Sequence, residues 1–214
     1  MSFLISALLQ TKAIIVSDKM ITMPDGTHGI MVDPKFGTLP CDFILGWSGN
    51  SEVAWQMVRT FGSMIENEMD NFESFSAKVK SFKESFDPIY NGFDKDLLGM
   101  AHGSAQLQGI GLVEKRLTVI SVNYCPSKND GYEVIASQTP GTVILSSVDD
   151  NVRVMECLSS TIPKVLDGDS LSDRRMRKIF KGIYKELGRF DPTISHQGHM
   201  LILREDGGER EFDF

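Results

Sequence analysis

Ser2-Phe-Leu-Ile-Ser-Ala-Leu-Leu-Gln-Thr-Lys-Ala-Ile-Ile-Val-Ser-Asp18 decides how the rest of the chain is read. It holds two short apolar runs, 3–9 and 13–17, separated by Gln10-Thr11-Lys12, the pattern of a β-hairpin. Removal of Met1 would leave Ser2 with both a hydroxyl and a free α-amine. An α-amine titrates near ~7.7–8.0, where a general base works best. Serine and threonine can be activated by such an amine in place of a separate histidine. A Met-Ser start alone carries little weight, so the reading has to be supported from outside this stretch.

A turn-rich stretch follows Asp18, with Pro24-Asp25-Gly26, Gly29–Val32 and Asp33-Pro34-Lys35. A strand at Phe43-Ile44-Leu45 runs into Gly46-Trp47-Ser48-Gly49-Asn50. The period then changes. Ser51 can cap a helix whose apolar positions Val53, Ala54, Met57, Val58, Phe61, Met64 and Ile65 fall at three-and-four spacing. Phe72, Phe75, Val79, Phe82 and Phe86 predict a second helix stopping before Pro88. Strands are expected at Gln106–Val113, Leu117–Asn123 and Tyr132–Ala136, with a turn at Lys128–Gly131. Helices follow over about 149–165 and 172–188. Strands His199–Arg204 and Glu209–Asp213, joined through Asp206-Gly207-Gly208, close the sequence.

That order lacks the βαβ alternation of a doubly wound sheet. It predicts an α+β fold: a four-layer αββα sandwich of two antiparallel sheets flanked by helix pairs. Residues 1–214 read as one domain, with no repeat, linker or low-complexity tract.

The net charge of −7 opposes phosphate backbones and anionic membranes, so neither nucleic acid nor membrane is expected as a partner. Cys41, Cys125 and Cys157 form no CxxC pair, no signal-peptide n-region precedes the apolar start, and no stretch reaches membrane-spanning length. The expected location is the cytoplasm. Helix 172–188 carries Arg174, Arg175, Lys178, Lys181 and Lys185 on its polar side, read as a solvated face.

Ser2, Asp18, Lys35, Gly49 and this strand-helix order together resemble the proteasome β-subunit family, N-terminal-nucleophile hydrolases with an αββα sandwich. Val16-Ser17-Asp18-Lys19-Met20 is similar to the family's Ala-x-Asp-Ser-Arg segment, at matching distance from the nucleophile. Thr22 resembles the threonine that follows it, and Lys35 the catalytic lysine with one extra residue in the loop. Trp47–Glu52 resembles the glycine turn before the first helix, Ala136-Ser137-Gln138 the Gly-Ser-Gly motif, and Asp191–Gln197 the Asp-x-x-Ser-Gly-Gly segment. The chain departs from the pattern in having Ser for Thr at the nucleophile, Lys19-Met20 for Ser-Arg, and Gln138 and Gln197 for glycines.

The resemblance implies a catalytic set of Ser2, Asp18, Lys35, Gly49, Ser137, Asp191 and Ser195. Ser2 would attack, with its own amine as base. Lys35 would lower that amine's pKa, and Asp18 would hold Lys35. The Gly49 N–H would face the oxyanion, and Ser137, Asp191 and Ser195 would orient the amine and its water. It also implies a peptide or protein substrate and a homo-oligomeric ring, leaves open an ATPase or unfoldase partner, and calls for no cofactor and no metal.

Three other readings stay open at this level. A ring-forming subunit of the same fold could lack catalysis. Gly46-x-Ser48-x-Asn50, followed by Asp191 and His199, approximates the nucleophile elbow and residue order of an α/β-hydrolase built on Ser48. His196 and His199 form an HxxH without the acidic partner of a metalloprotease helix.

Overall fold

In a β-strand successive side chains face opposite sides of the sheet, so a strand apolar at every position must be covered on both faces. Lys12–Asp18 (β2) is buried throughout. Its Ala13 and Ile15 join one apolar cluster, while Ile14 and Val16 join another. This split organises the molecule. The structure, a computed structural model, describes residues 3–22, 28–31, 35–94, 104–126, 132–146, 152–166, 170–191 and 194–214.

The first sheet has the order β10-β1-β2-β11-β12, formed by Thr142–Leu145 (β10), Leu4–Leu8 (β1), β2, Gly198–Arg204 (β11) and Glu209–Asp213 (β12). The second has the order β5-β6-β7-β8-β9: Phe36–Thr38 (β5), Ile44–Gly49 (β6), Ala105–Val113 (β7), Arg116–Tyr124 (β8) and Tyr132–Ser137 (β9). Every pairing in both is antiparallel. Met20–Thr22 (β3) and His28–Met31 (β4) form a separate two-stranded ribbon.

Ala13, Ile15, Leu201 and Leu203 meet Ile44, Ile110, Leu117 and Val119 between the sheets. The outer face of the first sheet (Ile5, Ile14, Val16, Met200, Ile202) packs on Val152–Leu166 (α4) and Asp173–Phe190 (α5), through Val165, Met176, Phe180, Ile183 and Leu187. The outer face of the second sheet (Leu107, Ile120, Val122) packs on Ser51–Ile65 (α1), Phe72–Lys80 (α2) and Phe82–Asn91 (α3). The layers are helix, sheet, sheet, helix, as expected from the sequence. Among the described residues no helix is long and apolar enough to cross a membrane.

Three local expectations are corrected. Asn50, not Ser51, caps α1: its Oδ1 accepts from the N–H groups of Glu52 and Val53, each at 3.1 Å. The second helical pattern is two helices, divided at Ser81, whose N–H bonds Ala77 and Val79 carbonyls. Pro88 does not end the pattern but lies inside α3. Its missing N–H costs helical stability, and burial of Phe82, Phe86 and Tyr90, spaced four apart against the core, offsets that cost. The expected turn at 128–131, the start of the 149–165 helix before Val152 and the end of the 29–32 segment fall outside the described residues.

Candidate active site

Asp18 ends β2 at one end of the sandwich, with 0% of its surface exposed. A buried carboxylate needs both hydrogen bonds and a counter-charge. Its Oδ1 accepts from the Lys35 ammonium at 2.9 Å and from the Phe3 N–H at 3.1 Å. Lys35, 4% exposed, immediately precedes β5. Burial pushes its ammonium below the usual lysine range, and the Asp18 charge and hydrogen bond work against that shift.

Phe3 is tied at both backbone groups. Its carbonyl accepts from the Asp18 N–H at 3.3 Å and from the Tyr184 hydroxyl at 2.9 Å. Tyr184 also donates to the Val16 carbonyl at 3.1 Å. It reaches inward from α5, and complete burial holds its phenol well above the usual tyrosine range. One residue on, Leu4 is bracketed by Ser146: the Leu4 N–H donates to Ser146 Oγ, and the Ser146 N–H donates to the Leu4 carbonyl, both at 2.9 Å. The chain entering β1 is thus held by three residues, Asp18, Tyr184 and Ser146. Ser2, the residue before Phe3, lies outside the described residues.

Gly49 ends β6. The Trp47 N–H donates to the Lys35 carbonyl at 3.1 Å, and Gly49 lies two residues, about 7 Å, further along that strand. Its φ of +92° and a Cβ position only 2.4 Å from the Ser104 carbonyl oxygen require glycine. Asp191 follows α5, with its N–H on the Leu187 carbonyl, and its own carbonyl accepts from the Ile194 N–H. That turn delivers Ser195, whose N–H points at Asp18 Oδ2 over a long 3.5 Å and whose Oγ accepts from the Gln197 N–H.

Ser137 is not brought to this cluster. Its hydroxyl meets Thr142 Oγ1 at 3.0 Å and accepts from the Thr139 N–H, in the β9–β10 turn. Thr142 pairs with Leu8, five residues and roughly 16 Å along β1 from Phe3. At the Asp18 end of β1, Leu4 is bonded by Ser146 instead. Neither Ser146 nor Tyr184 follows from motif spacing; the only signal was a tyrosine within α5's buried stripe, since a buried phenol must find a partner.

Among the described residues the α/β-hydrolase arrangement is not formed. Ser48 lies within β6, opposite Gln106 in an antiparallel ladder, and 7% exposed. His199 turns its Nδ1 to Asp213 at 2.7 Å, with its ring 5.0 Å from Phe36. His196 packs beside Gly188 on α5, so the two imidazoles of the HxxH have different surroundings.

A cleft of about 460 Å³ opens beside β5, lined by Gly37, Leu39, Cys41, Trp47, Trp55 and Arg59 among others. Trp55 is 54% exposed and meets Trp47 edge-on at 6.4 Å.

Two antiparallel sheets between helical layers, with a buried Asp–Lys pair bonded to the strand that enters them, form a four-layer αββα sandwich of the kind seen in Anbu and HslV. No protein-family model matches the chain, and no curated protein matches it in sequence. Solved structures do match in fold. An Anbu (Gly-1) mutant from Hyphomicrobium sp. strain MC1 aligns with TM-score 0.65 and 10% identity, over 100% of this chain and 87% of that one. The Anbu complex of Pseudomonas aeruginosa, solved as a helical assembly, gives 0.66 and 10%, over 99% and 86%. HslV from Trypanosoma brucei gives 0.56 and 11%, over 94% and 99%.

Proposed function

We propose that the chain is a proteasome-like N-terminal-nucleophile hydrolase that cleaves peptide bonds with Ser2, exposed as the amino-terminal residue by removal of Met1. The observation that carries this reading is the buried Lys35–Asp18 pair bonded to the Phe3 N–H, one peptide unit from Ser2. A lysine and an aspartate taken out of water at the entry to β1 cost folding energy, and a neighbouring amine to be tuned gives them a use.

The Ser2 hydroxyl attacks the substrate carbonyl while the Ser2 amine takes its proton. The Lys35 cation keeps that amine deprotonated near neutral pH by lowering its pKa. The oxyanion forms against the Gly49 N–H; such a donor is typically worth about 10²–10³ in rate. The protonated amine then gives its proton to the departing substrate nitrogen, leaving an ester on Ser2. Water attacks the ester with the amine again as base, releasing the acid and restoring the hydroxyl. The Asp191 turn and Ser195 support the Asp18 side of this arrangement, and Ser146 takes the place that the sequence assigned to Ser137.

The Trp47–Trp55 cleft, adjoining β5 just after Lys35, suits an apolar substrate side chain. Identical subunits would enclose these sites in a self-compartmentalising ring in the cytoplasm. Replacing Ser2 by Ala is expected to lower hydrolysis of fluorogenic peptides by about 10³-fold or more, with unfolding unchanged and partial activity for Ser2→Thr. Undiminished hydrolysis by Ser2→Ala contradicts the assignment, and a wild type inactive after Met1 removal supports a catalytically silent subunit of the same fold.

A further inference from the structure

α5 is amphipathic in an unusually one-sided way. Its buried face carries Met176, Phe180, Ile183, Tyr184 and Leu187. Arg174, Lys178, Lys181, Lys185 and Arg189 recur at helical spacing on the opposite face, all exposed, in a stripe about 22 Å long. The helix holds seven cations and two carboxylates, in a chain whose net charge is −7. Arg189 meets Glu186 at 2.8 Å. Arg174, Lys178, Lys181 and Lys185 have no carboxylate partner among the described residues.

The matching surface is on the same chain, yet among the described residues none of its carboxylates pairs with the stripe. β12 is the free edge of the first sheet, and its hairpin with β11 exposes Glu205, Asp206, Glu209 and Glu211. The hairpin's own cations, Arg204 and Arg210, are both drawn to Asp173 at the start of α5, at 2.7 and 3.3 Å. That contact holds the hairpin beside the start of its own helix, while Glu211 lies 3.4 Å from His199 Nε2 and Glu205 and Glu209 have no ion-pair partner among the described residues. Two copies facing each other through α5 would set like charge against like, which is unfavourable. A head-to-tail contact meets opposite charges, and such contacts close into rings or continue as helices according to the rotation between copies.

We propose that the cationic stripe of α5 is the contact surface for the acidic β11–β12 hairpin of a second copy. This rests on the homo-oligomeric reading above and names its interface. The two surfaces are complementary in charge: among the described residues Lys178, Lys181 and Lys185 on one, and Glu205 and Glu209 on the other, have no ion-pair partner.

Sedimentation velocity on the full chain tests it at about 0.1 M and about 1 M salt, where the Debye length falls from ~10 to ~3 Å. The wild type should assemble at the lower salt and dissociate at the higher. K178E/K181E/K185E and E205K/D206K/E209K should each weaken self-association by roughly 100-fold, and combining the two sets in one chain should restore it. Circular dichroism should show all variants folded, since every substituted side chain is exposed. Assembly insensitive to either set overturns the interface but leaves the homo-oligomeric reading standing. Sensitivity to the α5 set alone, or failure of the combined chain to assemble, also overturns it and assigns the stripe to another acidic partner. Wild type that is monomeric at both salts overturns the homo-oligomeric reading itself.

Discussion

Lys35 and Asp18 form the kind of pair whose loss is asymmetric. Removing one partner strands a buried charge, typically at about 3–5 kcal/mol, whereas replacing both by neutral groups of similar shape is far milder. Lys35→Ala should therefore lower the free energy of unfolding in guanidinium by about that amount. The double variant D18N/K35M should recover most of it while remaining inactive. Equal stability of Lys35→Ala and wild type would mean the pair is not buried as described. Gly49 offers a second test at this scale. Alanine there must take a left-handed φ with its Cβ in the Ser104 carbonyl, so Gly49→Ala should lose at least about 1–3 kcal/mol along with hydrolytic activity. Melting and turnover unchanged from wild type would contradict both the strain and the oxyanion role.

At the scale of elements, α3 carries a proline at its seventh position, and the Glu84 carbonyl has no Pro88 N–H to accept. Pro88→Ala should raise the stability of the fold by about 1–3 kcal/mol in chemical denaturation, the lost chain stiffness taking back part of the gain. A destabilised variant would show that the proline is needed for the packing of Phe86 and Tyr90. This helix also marks where the sequence stopped being legible. The hairpin at 3–9 and 13–17 and the stripe of α5 could be read because burial on one or both faces writes a period into the residues. Pro88 misled because local propensity lost to a phenylalanine core built from three elements. β3, β4 and β5 are only three or four residues long and carry no period to read. Asp18 and Lys35 were legible from spacing within one short stretch, and they are 2.9 Å apart. Ser146 was not, because its contact with Leu4 spans 142 residues and depends on β10 pairing with β1. Ser137, nearer to the expected motif in sequence, is carried to the far end of that ladder.

Across the whole molecule, all four tyrosines resist ionisation. Burial holds Tyr90, Tyr124 and Tyr184 above the usual range, with the Asp87 carboxylate adding to the shift at Tyr124, and it pushes Tyr132 up to about 12. Each phenol thus binds its proton more tightly in the native state than in the unfolded chain, where the value is near ~10. Their contribution to stability is fully present below pH ~10 and is lost as pH rises towards the folded values, about 12 for Tyr132 and above the usual range for the others. Absorbance at 295 nm should show no phenolate forming with a midpoint near ~10 while the protein remains folded; a normal titration of even one tyrosine in the folded state would contradict the packing around it. A liberated serine amine working beside the Lys35–Asp18 pair can be trapped by covalent labelling with a peptide β-lactone, followed by intact-mass analysis and peptide mapping. A single adduct is expected on Ser2 of a chain lacking Met1, suppressed in Lys35→Ala; an adduct on another serine, or none on a chain that begins with Ser2, would refute the Ser2 assignment.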